Sequence, residues 1–132
     1  MNNSHQIIRE KTKISPEVRE LIKNAEERYT IVHCRYFTQM PTYARIWPTT
    51  YLFENDGSFK QLLHAIDIAV SPEWKLFGIF SGYIEFTLIF EGLSKSCTSF
   101  HLEEIIPEPR PFMTSEIQRN QTDVYNVELF IA

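Results

Sequence analysis

From Ile84 to Phe90 the chain alternates: Ile84, Phe86, Leu88 and Phe90 are apolar, while Glu85 and Thr87, and then Glu91, fill most of the positions between and after them. Successive side chains on a strand point to opposite faces, so a period of two describes a half-buried β-strand with one face in a core. Residues 92–97 follow, beginning at Gly92, and then a second such run covers residues 98–105. Two runs joined by a short connection containing glycine predict a hairpin at the centre of an antiparallel sheet. Burying each of the four apolar residues contributes about 2 kcal/mol, against a typical net stability of about 5–15 kcal/mol. The rest of the chain has to supply partners for this strand.

The 132 residues are enough for one domain with a single core, and residues 1–132 are read as one unit. Ten Phe, six Tyr and two Trp favour pleated, half-buried surfaces, so composition leans towards β structure. A net charge of -4 spread along the chain argues against a broad nucleic-acid surface, and no nucleic-acid partner is predicted. No apolar run is long enough to cross a bilayer, so no membrane insertion is expected. Met1 to Gln6 lacks a basic region leading into an apolar stretch, which predicts a cytoplasmic protein without a signal peptide.

Residues 1–14 read as a flexible arm or an edge strand. Ser15, Pro16 and Glu17 suit a helix start, and Val18, Leu21, Ile22 and Ala25 share one helical face, so one short helix is predicted over residues 15–28. Residues 29–37 change to a period of two, with Thr30, Val32, Cys34 and Tyr36 facing one way. Residues 43–47 form another extended piece, stopped by Pro48. Residues 50–54 and 61–65 flank Asp56-Gly57, a strong hairpin signal because glycine tolerates positive φ. Ser71-Pro72-Glu73-Trp74 marks a turn, and the Pro107, Pro109 and Pro111 segment has to cross the surface because proline donates no ladder bond. Residues 124–131 alternate again, with Tyr125, Val127, Leu129 and Ile131 on one face. About seven short strands at roughly ten-residue spacing predict an all-β, two-sheet antiparallel β-sandwich.

Residues 86–97, followed by Phe100, His101, Leu102, Glu103 and Glu104, resemble a signature of uncharacterised bacterial domains of the Bacteroidota type. There an F-T-L-x-F strand leads through a P-L-P-K-like loop into an F-D-L-x-E strand. Residues 30–33, 45–52, 62–65, 68–74 and 119–125 are similar to pieces of those domains in the same order. The resemblance implies an immunoglobulin-like β-sandwich and extended chain at residues 18–25, and it implies no activity. The sequence departs from the pattern at Gly92 and Ser94, where proline is usual, and at His101, where aspartate is usual.

Chemistry-bearing residues are sparse. His5, His33, His64 and His101 show no H-x-H, C-x-x-C or H-E-x-x-H spacing, so neither metal nor cofactor is expected. Cys34 and Cys97 are too few for a disulfide scaffold. With Trp47 between them they superficially resemble an immunoglobulin pair, but Lys95 stands where the tyrosine corner belongs, and reduced thiols are the expectation. Cys97 beside Lys95 could be an activated thiol; packing of the loop on the sheet is the preferred reading. Glu103 and Glu104 read as a solvated face, although Glu85 and Glu103 could approach across the predicted hairpin. The stretch from Arg35 to Phe53 interleaves aromatics with arginines, as interface hot spots do. Tyr43, Arg45 and Trp47 are the candidate binding residues, on an exposed sheet face that contacts a partner. The reading that follows is a non-catalytic module for protein interaction or self-association through a sheet edge. The second reading is a small ligand-binding protein or enzyme with a pocket near His64, Cys97 and Trp74.

Overall fold

The computed structural model describes residues 16–17, 29–39, 41–78 and 82–132. Its strands are β1 (Tyr29–Thr38), β2 (Thr42–Ile46), β3 (Thr50–Glu54), β4 (Phe59–Ile66), β5 (Ala69–Val70) and β6 (Lys75–Phe77). Then come β7 (Gly82–Glu91), β8 (Ser99–Glu104), β9 (Phe112–Met113), β10 (Ile117–Gln118), β11 (Val124–Glu128) and β12 (Phe130–Ile131). The all-β expectation holds. Of the helix expected over residues 15–28, only Pro16 and Glu17 are described, and both are helical and exposed. Val18, Leu21, Ile22 and Ala25, the edge strand or arm at residues 1–14, and His5 lie outside the described residues.

The larger sheet has the order β11-β1-β7-β4-β3-β8-β9-β12, with β10 added on β8. β11 and β12 are consecutive parts of one stretch, separated at Leu129, whose N–H donates to the Arg35 carbonyl at 2.8 Å. β11 runs parallel to β1, with Val124 opposite Ile31. β12 runs antiparallel to β9, with Phe130 opposite Met113. The same stretch therefore borders both ends of the sheet, which curls into a nearly closed barrel. This is where the architecture departs from two facing sheets of an immunoglobulin-like sandwich. The alternation of residues 124–131 sets which side chains face inward, but not that one stretch serves two neighbours.

The predicted central hairpin is also corrected. β7 lies between β1 and β4, and β8 lies between β3 and β9. The β3–β4 hairpin is thus inserted between the two runs, and Glu85 faces Arg35 while Glu103 faces Tyr51. The connection from Gly92 to Thr98 explains the separation. Leu93 and Cys97 are buried. The Ser94 N–H donates to Glu54 Oε2 at 2.9 Å, and the Thr98 N–H donates to Asn55 Oδ1 at 3.0 Å. A loop that buries two side chains and bonds to the tip of another hairpin bridges that hairpin instead of turning back on itself. The β3–β4 turn itself forms as its Asp-Gly step predicts: Gly57 takes φ 93°, and Asp56 Oδ1 accepts from both the N–H and the hydroxyl of Ser58.

Inward parity places Val32 and Cys34 of β1, Ile84, Phe86, Leu88 and Phe90 of β7, Leu52 of β3 and Phe100 and Leu102 of β8 in one core. Both cysteines are free thiols in buried positions. Burial pushes Cys34 up to about 12. On the outer face, Tyr51, Phe53 and Phe59 form an aromatic cluster with ring centroids 5.1–6.2 Å apart, and Phe59 is 52% exposed. A second, smaller sheet has the order β5-β2-β6. It carries Tyr43 and Arg45 on β2.

Candidate binding cleft

The turn between β2 and β3 is pinned by a buried carboxylate. Glu104 follows the inward parity of Phe100 and Leu102, so β8 delivers it into the barrel end at 4% exposure. Its Oε2 accepts from the Trp47 N–H at 3.0 Å, and its Oε1 accepts from the Phe112 N–H at 3.0 Å. The Thr50 hydroxyl donates to the Trp47 carbonyl at 2.7 Å, closing the turn. This buried role corrects the reading of Glu104 as part of a solvated face. Glu103 alone points outward, 3.1 Å from His101 Nε2.

From that anchor the chain runs back along β2 to Arg45, opposite Ala69 of β5. The following turn is tied to the same strand: the Ser71 N–H donates to the Ile46 carbonyl at 2.8 Å, and Arg45 Nη1 donates to the Pro72 carbonyl at 3.1 Å. This sets the Trp74 ring against the guanidinium, whose carbon lies 4.0 Å from the Trp74 centroid and 5.3 Å from that of Trp47. Cation–π attraction of this kind is strengthened by desolvation. The Arg45 side chain is 15% exposed, and its anionic neighbour Glu108 stands at 3.5 Å with a 43% exposed side chain. Arg45 Nε is buried and, among the described residues, has no hydrogen-bond partner. Arg45 is therefore a half-buried cation with a loose, solvent-facing counter-ion.

A cleft of about 370 Å³ opens here, with Arg45, Trp47, Trp74, Glu104, Glu108 and Arg110 in its wall. Tyr43 of β2 and Trp74, just before β6, line it and stand 63% and 54% exposed, and Leu76, opposite Tyr43 across the β2–β6 pair, is 55% exposed. The structure thus keeps Tyr43, Arg45 and Trp47 together but divides their roles. Tyr43 is exposed, whereas Arg45 and Trp47 are half-buried in the cleft wall instead of lying flat on an open face. Sequence reasoning missed Trp74, Glu104 and Glu108 as their neighbours. The parity of Glu104 with Leu102 was a usable signal; nothing in the spacing of Trp74 or Glu108 was.

His64, Cys97 and Trp74 are not assembled into a pocket. Cys97 sits beyond Glu54 at one end of β3, while Trp74 sits beside Arg45 and Trp47, before Thr50 at the other end. His64 lies on β4 opposite Ile89. Cys97 is 5% exposed, and its Sγ donates to the Ser99 carbonyl at 3.3 Å. Burial first, and then the Glu54 carboxylate, push this thiol above its ordinary value, opposite to what activation needs. A larger concavity of about 670 Å³ on the outer face of β1, β7 and β11 has a mixed polar and apolar lining. In it His33 Nδ1 meets Thr87 Oγ1 at 2.7 Å, and Arg35 lies 3.6 Å from Glu128 and over the Tyr83 ring. No group of three His, Cys, Asp or Glu able to hold a metal occurs among the described residues.

Burial raises the Glu104 pKa above its ordinary 4.5, only partly offset by the bonds from Phe112 and Trp47. The folded state therefore holds this proton more tightly than the unfolded chain. The stability it contributes is full below the unfolded carboxylate value and is lost as pH rises through the folded one. The stability difference between the parent protein and a Glu104→Gln variant should accordingly narrow as pH rises above about 4.5, measured by urea melts at a series of pH values. A difference that widens over this range would contradict the assignment. No protein family, curated protein or solved structure matches the chain.

Proposed function

We propose that this protein is a non-catalytic module that binds another protein through the corner where the small sheet meets the barrel. Arg45 carries the reading. Its half-buried guanidinium lies within reach of two indoles, with the buried Nε unpartnered among the described residues and Glu108 only loosely engaged. Trp, Tyr and Arg in a desolvated pocket with an exposed rim are the composition of binding hot spots. Closure of the barrel also removes most free sheet edges, so edge pairing is confined largely to the short strands of the small sheet. The enzyme reading loses support because its thiol is buried and its three residues are apart.

The test is differential capture by the tagged chain from its native cells, comparing the parent with Tyr43→Ala and Trp74→Ala. Each substitution should weaken retention of the same partner by about 30-fold or more, as for a hot-spot truncation. Phe59→Ala, in the outer aromatic cluster, should retain it. Loss with Phe59→Ala alone would move the interface to the barrel wall. Capture of only the chain itself, with a doubled mass in sedimentation, would replace a foreign partner by a second copy.

A further inference from the structure

We infer that the Arg45 cleft takes the carboxylate at the C-terminal end of a partner's chain. The inference rests on the binding-module reading and names what that module recognises.

Charge is the first argument. Two arginines, Arg45 and Arg110, line the cleft with two carboxylates, Glu104 and Glu108. The carboxylates are not equivalent. Glu104 has both oxygens committed to backbone N–H groups of Trp47 and Phe112 and is buried as part of the wall. Among the described residues Glu108 is the carboxylate at Arg45 that can leave: it belongs to the exposed segment between β8 and β9, and its 3.5 Å approach is longer than a well-made charged hydrogen bond. A ligand carboxylate can replace it at Arg45 Nη2 without disturbing the fold, while Nη1 remains on the Pro72 carbonyl.

Shape is the second. A volume of about 370 Å³ is near the lower bound of ligand pockets, enough for one or two residues. That suits the end of a chain better than a segment passing through. Aromatic walls from Trp47, Trp74 and Phe112 provide apolar area for the last side chain, and the planar guanidinium matches a carboxylate. A ligand docked here would be held at its charged end, with the exposed Tyr43, and Leu76 opposite it, touching the preceding residues.

Both tryptophans of the chain line this cleft, so intrinsic fluorescence reads its occupancy. The probes are N-acetyl-Ala-Phe with a free carboxylate, the same peptide as its C-terminal amide, N-acetyl-Glu-Phe-amide and N-acetyl-Arg-Phe-amide. The free acid should give a saturable change and bind at least about tenfold more tightly than its amide. Glu108→Gln, at an exposed side chain, should strengthen the acid severalfold by removing its competitor. Arg45→Met should abolish the preference for acid over amide. Equal binding of acid and amide, equal binding of the Glu side-chain probe, or tightest binding of the Arg probe would each overturn the inference. So would the lack of a saturable change with the acid at millimolar concentration. If partner capture still depends on Trp74 in that case, only the carboxylate inference falls; if capture fails too, the module reading falls with it.

Discussion

Leu88→Asp should leave no folded protein. Leu88 is fully buried at the middle of β7, opposite Val32 of β1 on one side and Ala65 of β4 on the other. The substitution removes the burial of a leucine, about 2–3 kcal/mol, and places an unpaired carboxylate among apolar neighbours, which costs several kcal/mol more. The total, about 5 kcal/mol or more, reaches the range of net stability for a small domain. Insoluble expression or loss of a cooperative melt is the expected outcome. Thr87→Asp, one position along on the outer face, is the control and should melt cooperatively. A parental melting temperature for Leu88→Asp would refute the core assignment.

Arg119→Ala should be the next most damaging change, and its reason lies in the loops. Arg119 donates through Nε and Nη2 to the two oxygens of Asp123 at 3.2 and 3.0 Å, and through Nη1 to the carbonyls of Ser94 and Cys97. The Tyr125 hydroxyl donates to the same Asp123 carboxylate at 2.8 Å and accepts from the Asn120 N–H at 3.1 Å. One guanidinium therefore ties the loop that bridges the β3–β4 hairpin to the entry of the closing strand. Its side chain is 23% exposed and that of Asp123 17%, so water substitutes poorly for the lost bonds. Removal leaves two carbonyls and a carboxylate underbonded, a loss of about 3 kcal/mol. Chemical denaturation should show the midpoint falling with little change in slope. Arg119→Lys should recover only part of the loss, because an ammonium cannot reproduce the two-pronged contact with Asp123. A loss below about 0.5 kcal/mol for Arg119→Ala would show the network to be incidental.

How much of this was legible in advance follows from what alternation can and cannot encode. The period of two at residues 30–36 and 84–90 identified strands, and at 84–90 the buried face as well, because parity is a local property of each strand. Asp56-Gly57 marked its hairpin for an equally local reason. Pairing between distant strands is not local. Residues 92–98 have the length and composition of a hairpin loop, yet Leu93 and Cys97 are buried and Glu54 holds Ser94, so β7 and β8 part company. The cleft was half legible. Tyr43, Arg45 and Trp47 come from one strand and its turn, whereas Trp74 is brought to Arg45 by a turn whose Ser71 N–H donates to Ile46 and whose Pro72 carbonyl accepts from Arg45, bonds that no periodicity announces. Glu104 was misjudged by its charge although its parity with Leu102 was plain. A carboxylate accepting two backbone N–H bonds behaves as a structural acceptor more than as a surface charge.

The shared closing stretch has a consequence for how the molecule is made. β1, the first described strand of the barrel, cannot gain its parallel neighbour until residues 124–128 have been synthesised, and β9 waits in the same way for residues 130–131. During elongation, both borders of the sheet remain unpaired while the strands between them are already available. Contacts this distant along the sequence carry a large loop-closure cost and slow the approach to the native state. The same eight residues that remove the edges from the finished barrel leave them open in the nascent chain, so the interval before their arrival is when this protein is most exposed to pairing with its own copies.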